Sequence, residues 1–176
     1  MNSEEKSLIL KPGREKSVLA RHPWIFSGAV REVSGEVESG GTVLVRDAKG
    51  VALGRAAYSP ASSIRARMWS LNPEEIIDGG FFENRIEQAI QRRKDAVLEN
   101  ETNALRLVYA ESDGLPGLIV DRYDQVLVVQ ILTAGAEYWK ETLVETLVRI
   151  TGLKTVVERS DVDVRSLEGL PPRVGV

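Results

Sequence analysis

Apolar and polar residues alternate in short runs from Ser7 to Ser70, the pattern of half-buried strands joined by turns. Ser7 to Leu10 is β-prone and ends at Lys11-Pro12-Gly13. Thr42 to Arg46 alternates around the β-branched Val43 and Val45, and Ala48-Lys49-Gly50 makes a turn. Val51 to Tyr58 and Ser63 to Ser70 read as two further strands. One helical interruption is predicted over Arg14 to Arg21, because Glu15, Val18, Leu19 and His22 fall at helical spacing. Pro23 disfavours helix in the residue before it. Short strands with one short helix predict a small barrel or sandwich.

The pattern changes after Asn72-Pro73. From Gly80 a helix of about 18 residues is predicted: Phe82, Ile86, Ala89, Ile90 and Val97 share one face, while Glu83, Glu87, Gln91, Arg92, Lys94 and Asp95 occupy the rest. Strand-like runs follow at Leu105 to Ala110, Leu118 to Asp121 and Val126 to Leu132, with a tight turn expected over Ser112 to Gly117. A second helix spans Ala136 to Ile150 and closes at Gly152, and Lys154 to Glu158 is one more strand. The expected fold class is therefore α+β: a β-barrel with a short helix over residues 1–72, then a mixed α/β unit over residues 73–176, ordered helix, three strands, helix, strand.

Charge sharpens this division. The chain of 176 residues carries a formal charge of −3, yet residues 1–72 hold 11 Lys and Arg against 7 Asp and Glu, a net +4, and residues 73–176 hold 12 against 19, a net −7. The first unit is the anion-seeking one. Cysteine is absent, which excludes disulfides, thiolate metal sites and a cysteine nucleophile from these residues. The start MNSEEKSLIL lacks a secretory pattern, and no apolar run approaches the length of a membrane span, so a soluble cytoplasmic protein without membrane association is expected.

Candidate chemistry concentrates in Lys11 to Val30. Arg14, Ser17 and Arg21 share one side of the short helix, Lys11 and Lys16 add cations, and Trp24 follows closely; cations beside an aromatic surface suit a nucleic-acid backbone and a stacked base. Equally, Trp24, Ile25 and Phe26 fit a plain core with Arg14 and Arg21 on a wet face. In the strand Ile64 to Trp69, Ile64, Ala66 and Met68 face one way and Arg65, Arg67 and Trp69 the other, which presents either two guanidinium groups and an indole to RNA or an ordinary solvated face. Asp113-Gly114-Leu115-Pro116-Gly117 matches no phosphate-binding loop and precedes a strand. His22 has no nucleophile elbow or second histidine beside it, and Asp161 with Asp163 lacks a third ligand, so no catalytic or metal-binding residue is assigned.

GREKS at 13–17, RHPWIFSGAV at 21–30, AYSPASSIRARMWS at 57–70, ESDGLPGLIVDRY at 111–123, AGAE at 134–137 and ERSD at 158–161 together resemble the ribosomal RNA large subunit methyltransferase I family. These are PUA-domain-containing, S-adenosylmethionine-dependent enzymes that methylate cytosine C5 of large-subunit rRNA. The resemblance implies that residues 1–72 are the PUA-like RNA-binding domain and residues 73–176 the central α/β domain. The third domain, Rossmann-like and bearing the cofactor loop and the catalytic cysteine, has no counterpart here and is expected to be absent. The chain then reads as the front portion of a longer enzyme, in keeping with its abrupt apolar end at Val174-Gly175-Val176. It would be inactive alone and hold no cofactor, with S-adenosylmethionine belonging to the full-length parent. Its partner would be large-subunit rRNA, contacted by Lys11, Arg14, Lys16, Arg21, Trp24, Arg65, Arg67 and Trp69, with Arg122 and Arg159 either touching substrate or forming ion pairs. The alternative is a self-association module that forms a homodimer through these domains.

Overall fold

The computed structural model describes residues 5–96 and 102–176. Strands β1 (Ser7–Leu10), β2 (Trp24–Phe26), β3 (Val30–Ser34), β4 (Thr42–Arg46), β5 (Ala52–Tyr58) and β6 (Ile64–Ser70) form one sheet in the order β2-β6-β5-β4-β1-β3. Every pairing is antiparallel except β1 with β4, which is parallel. The two edge strands, β2 and β3, are consecutive in the chain and separated only by a 3-10 turn at Ser27–Ala29. The sheet must therefore curl until its edges approach, which makes a barrel of it. Leu8, Leu10, Ile25, Val43, Val45, Ala56, Ala66 and Met68 fill the interior, and helix α1 (Glu15–Leu19) adds only Val18 to it. Strands β2 and β3 escape the sequence pattern because the first has three residues and the second, VREVS, has no fully buried position.

The second unit begins with α2 (Gly79–Ala96), whose Phe82, Ile86, Ala89 and Ile90 are buried as the stripe requires. Val97 and the side chain of Asp95 lie outside the described residues. Strands β7 (Ala104–Tyr109), β8 (Leu118–Tyr123) and β9 (Val126–Ile131) form an antiparallel meander. Helices α3 (Ala134–Tyr138) and α4 (Lys140–Thr151) then cross over to β10 (Thr155–Ser160), which pairs parallel with β9. A short α5 (Val164–Leu167) leads to β11 (Arg173–Gly175), and the sheet order is β11-β10-β9-β8-β7. The single helix expected after Gly135 starts two residues earlier and is broken at Trp139 (φ −96°, ψ 9°), whereas Gly152 ends it with φ +71°, a conformation glycine adopts without strain. No helix among the described residues is long and apolar enough to cross a membrane.

The expected absence of a Rossmann-like unit is corrected by this second sheet. It has five strands, is packed by helices, and contains a strand–helix–parallel strand crossover from β9 to β10, the unit from which Rossmann-like sheets are built. The lack of a cofactor loop and a cysteine in the sequence does not exclude a sheet of this type. Parallel pairing has no motif of its own, because it follows from which strands meet after a helix has crossed the sheet.

The two units share a core. Ala57 of β5 and Trp69 of β6 belong to the same buried cluster as Phe81, Phe82, Leu118, Ala136 and Leu143. Gly135 at the start of α3 sits so close to the barrel that a Cβ there would stand 2.4 Å from the Ala57 Cβ and 2.9 Å from the Trp69 ring. Strand β6 is thus buried on both sides: Ala66 and Met68 face the barrel interior and Arg67 and Trp69 face the second unit.

Candidate nucleic-acid interface

The residues from Lys11 to Ala29 fold into a groove on the barrel surface. Arg14, at the N-terminal cap of α1, lines it with Ser17, His22, Trp24, Phe26, Gly28 and Ala29, enclosing about 300 Å³. The chain leaves α1 through Arg21 in a left-handed conformation (φ +62°), and the His22 amide then donates to the Ser17 carbonyl at 2.9 Å. This turn stands the His22 ring beside β2. Alternation along β2 puts Ile25 into the core and Trp24 and Phe26 on the opposite side. The rings of His22, Trp24 and Phe26 lie 5.9, 6.4 and 6.3 Å apart in pairs, and Phe26 is 48% exposed. His22 Nδ1 accepts the Trp24 amide at 3.1 Å, which locks the imidazole against the strand. Lys11, Arg14, Lys16 and Arg21 are all exposed, and Lys11 Nζ donates to the Gly28 carbonyl at 3.0 Å on the rim of the groove. Arg65 is half-buried and donates to the Pro60 carbonyl, in the connection from β5 to β6.

Arg67 and Trp69, expected among the RNA contacts, are instead interior. Arg67 is 7% exposed and Trp69 3%. Arg67 anchors a polar chain that crosses between the units: its Nη1 donates to Glu168 Oε1 at 2.8 Å, and its Nε lies 3.8 Å from Glu111 Oε1, which also accepts the Trp24 indole N–H at 2.7 Å. Glu168 Oε2 accepts from the Ser59 hydroxyl at 2.8 Å and from the Ala134 amide at 3.2 Å. Burial alone would raise the Glu168 pKa; hydrogen bonding from Ser62, the Arg67 charge and the Ser59 hydroxyl outweigh it and hold the carboxylate below its ordinary value. Period-2 alternation predicts the side of the strand that Arg67 and Trp69 occupy, not that a second unit covers that side.

The segment expected as a tight turn, Ser112 to Gly117, does turn the chain between antiparallel β7 and β8, and its first two residues end a 3-10 helix, Ala110–Asp113, closed by Gly114. Asp113 is buried and accepts from Arg92 Nη2, Arg93 Nη1 and Arg93 Nη2, each at 2.7 Å, and from the Tyr109 amide at 2.6 Å. Its desolvation is overcome by the Arg93 and Arg92 hydrogen bonds, which lower its pKa. Arg159 pairs with Asp161 at 3.2 Å and lowers its pKa, and Arg122 donates to the Asp124 carbonyl, so both arginines make local structural bonds. Among the described residues no cluster of His, Asp and Glu is arranged to hold a metal ion. Phe26 and His22 are groove residues that sequence reasoning treated as core and as a lone base. For Phe26 a signal was available in the W-I-F alternation, since Ile25 inside requires both neighbours outside, whereas His22 is placed by the left-handed turn at Arg21.

The start of the β9-to-β10 crossover is closed. Glu168 accepts the Ala134 amide, Thr133 Oγ1 accepts the Ala136 amide at 3.3 Å, and Gly135 is pressed against Ala57 and Trp69.

A barrel carrying a cationic and aromatic groove shares its core with an α/β unit, and residues 8–71 of it match the PUA-like domain family. The chain is 49% identical over 169 residues to ribosomal RNA large subunit methyltransferase I of Alteromonas mediterranea, and equally to that of Yersinia pseudotuberculosis; each match covers 96% of this chain and 43% of the relative. These relatives bear the name of the family that the sequence motifs resemble, and the chain spans less than half of their length. In fold it is similar to two solved structures, one described as "a putative SAM-dependent methyltransferase" from Streptococcus mutans and one as "a putative methyltransferase complexed with SAH". Both have TM-scores of 0.74 at 15% identity, covering 87% of this chain and 40% of theirs. This likeness to methyltransferase folds agrees with the crossover sheet in overturning the expected absence of a Rossmann-like unit.

Proposed function

We propose that this chain engages RNA and positions it for an S-adenosylmethionine-dependent rRNA (cytosine-C5) methyltransferase acting on large-subunit rRNA in the cytoplasm. The observation that carries this is the groove, where exposed Phe26 and His22 and half-buried Trp24 stand beside Arg14, with Lys11 on the rim and exposed Lys16 and Arg21 in the adjoining helix and turn. Base stacking on aromatic rings with cations tracking the backbone is how single-stranded nucleic acid is held. Arg65 lies at the margin of this surface.

Cytosine C5 becomes nucleophilic when a thiolate adds to C6, and the chain contains no cysteine, so that addition is not made by its residues. A nucleotide cofactor in an α/β sheet sits on an open helix N-terminus after a strand. At the crossover here, Glu168 and Thr133 already take those amides, and Gly135 meets the barrel. These residues do not fit S-adenosylmethionine, which supports a division in which this chain supplies RNA contact and other residues of the enzyme supply cofactor and nucleophile.

The test is RNA binding by the double charge reversal Arg14→Glu with Arg21→Glu. Binding should weaken at least tenfold, and the slope of log K against log salt should fall by about 1.4, two lost phosphate contacts at about 0.7 each. Unchanged affinity and slope would refute the groove. Absence of RNA binding by the unaltered chain, together with sedimentation as a dimer, would favour the self-association reading.

A further inference from the structure

We infer that the RNA path does not end at the barrel but crosses the junction onto α2, where Arg92 and Arg85 hold further phosphates of the same strand. This rests on the RNA reading of the groove and extends it into the acidic unit, which composition alone would exclude.

Contact continuity comes first. The Trp24 indole donates to Glu111, and two residues further along the same 3-10 helix Asp113 takes Arg92 and Arg93. The next residue, Gly114, lies against Arg85: a Cβ built there would stand 2.8 Å from Arg85 Nη1. The groove's stacking ring and two guanidinium groups of α2 are therefore gathered around one four-residue helix and its closing glycine. Arg85 and Arg92 are seven positions apart in α2 and so lie on one face of it.

Charge and exposure follow. Asp113 needs one arginine, and Arg93 already serves it through both nitrogens with a side chain only 20% exposed. Arg92 adds a second cation to the same carboxylate while its side chain stays 52% exposed. One positive charge at this turn is therefore unneutralised by Asp113 and accessible. Arg85 lies 5.0 Å above the Phe81 ring, with its nearest carboxylate, Glu75, at 3.9 Å, too far for a hydrogen bond. A planar guanidinium steadied on an aromatic ring or a carboxylate, with nitrogens left to donate, suits a phosphate oxygen. Glu111 is turned to the junction, where it accepts the Trp24 indole N–H and lies 3.8 Å from Arg67 Nε.

The chain is titrated with two labelled oligouridines, one of about 4 nucleotides, enough to fill the groove alone, and one of about 12, long enough to continue onto α2. Arg92→Gln should weaken binding of the longer strand by about threefold to tenfold and reduce its salt slope by about 0.7, leaving the shorter strand unaffected. Arg93 keeps Asp113 paired, so the melting temperature should hold; Arg85→Gln, which touches no part of that pair, should give the same length-selective loss. Wild-type affinity and slope for the longer strand in both variants would overturn the inference. If the Arg14 and Arg21 reversal still abolished binding of both strands in that case, the groove would stand and only its extension would fall. Equal weakening of both strands by Arg92→Gln would also overturn it, since the residue would then act through the groove.

Discussion

Replacing Glu168 by Gln tests whether the two units are held together by the buried network or merely pack side by side. Glu168 is 2% exposed, and its two oxygens serve Arg67, Ser59 and the Ala134 amide. Glutamine keeps the shape but offers one oxygen. If that oxygen faces Arg67, the amide nitrogen meets the Ala134 N–H, donor against donor; if it faces Ala134, the nitrogen meets a guanidinium. In either case the one carboxylate left near Arg67 is Glu111, at 3.8 Å. Removing one partner of a buried ion pair costs about 3–5 kcal/mol, because the other charge stays desolvated. For a chain of this size that corresponds to a drop of about 6–15 °C in melting temperature. Calorimetry or urea unfolding at neutral pH measures it. The double replacement Arg67→Met with Glu168→Leu should recover most of the loss, since no charge is then stranded. A Glu168→Gln variant within about 1 kcal/mol of wild type, at the low end for burying an unsatisfied donor, would refute the network's structural role.

Phe26→Ala should leave the melting temperature nearly unchanged, because the ring is half-exposed, and should weaken single-stranded RNA binding by about 1–3 kcal/mol, read by fluorescence anisotropy. Gly135→Ala should destabilise the fold by about 1–3 kcal/mol in urea unfolding, as its methyl would meet Ala57 and Trp69 at 2.4 and 2.9 Å. Asp113 and Glu168 have pKa values held below their ordinary 3.8 and 4.5 in the folded chain. Their contribution is therefore complete above the unfolded values and lost as pH falls through the folded ones. The urea midpoint should stay flat above about pH 5 and drop steeply below about pH 4; a midpoint that rises on acidification would contradict the pairing.

The sequence made individual elements legible where the apolar period was long or the turn residues strong. The stripe Phe82, Ile86, Ala89 and Ile90 delimits α2, Val43 and Val45 mark β4, and Gly152 ends α4. It failed where burial depends on a second unit. Arg67 and Trp69 lie on the side of β6 that alternation assigns, but that side became an interface instead of a wet face, because the start of α3 packs on it. Glu168 could not be anticipated for the same reason: its partners Arg67 and Ser59 lie 101 and 109 positions away. The Rossmann-like character of the second sheet was missed because a crossover leaves no local signature. Of the groove, the cations and Trp24 were legible from their clustering, whereas Phe26 follows from Ile25 pointing inward and His22 from the left-handed turn at Arg21.

The central claim is that RNA lies in the groove between α1 and β2. Ultraviolet crosslinking of the chain to a labelled single-stranded RNA, followed by mass spectrometry of the adducts, tests it at the level of residues. The account predicts adducts on His22, Trp24 or Phe26 that vanish in the Arg14 and Arg21 reversal. Adducts confined to Tyr109 and Tyr123, the exposed rings of the second sheet, would contradict it.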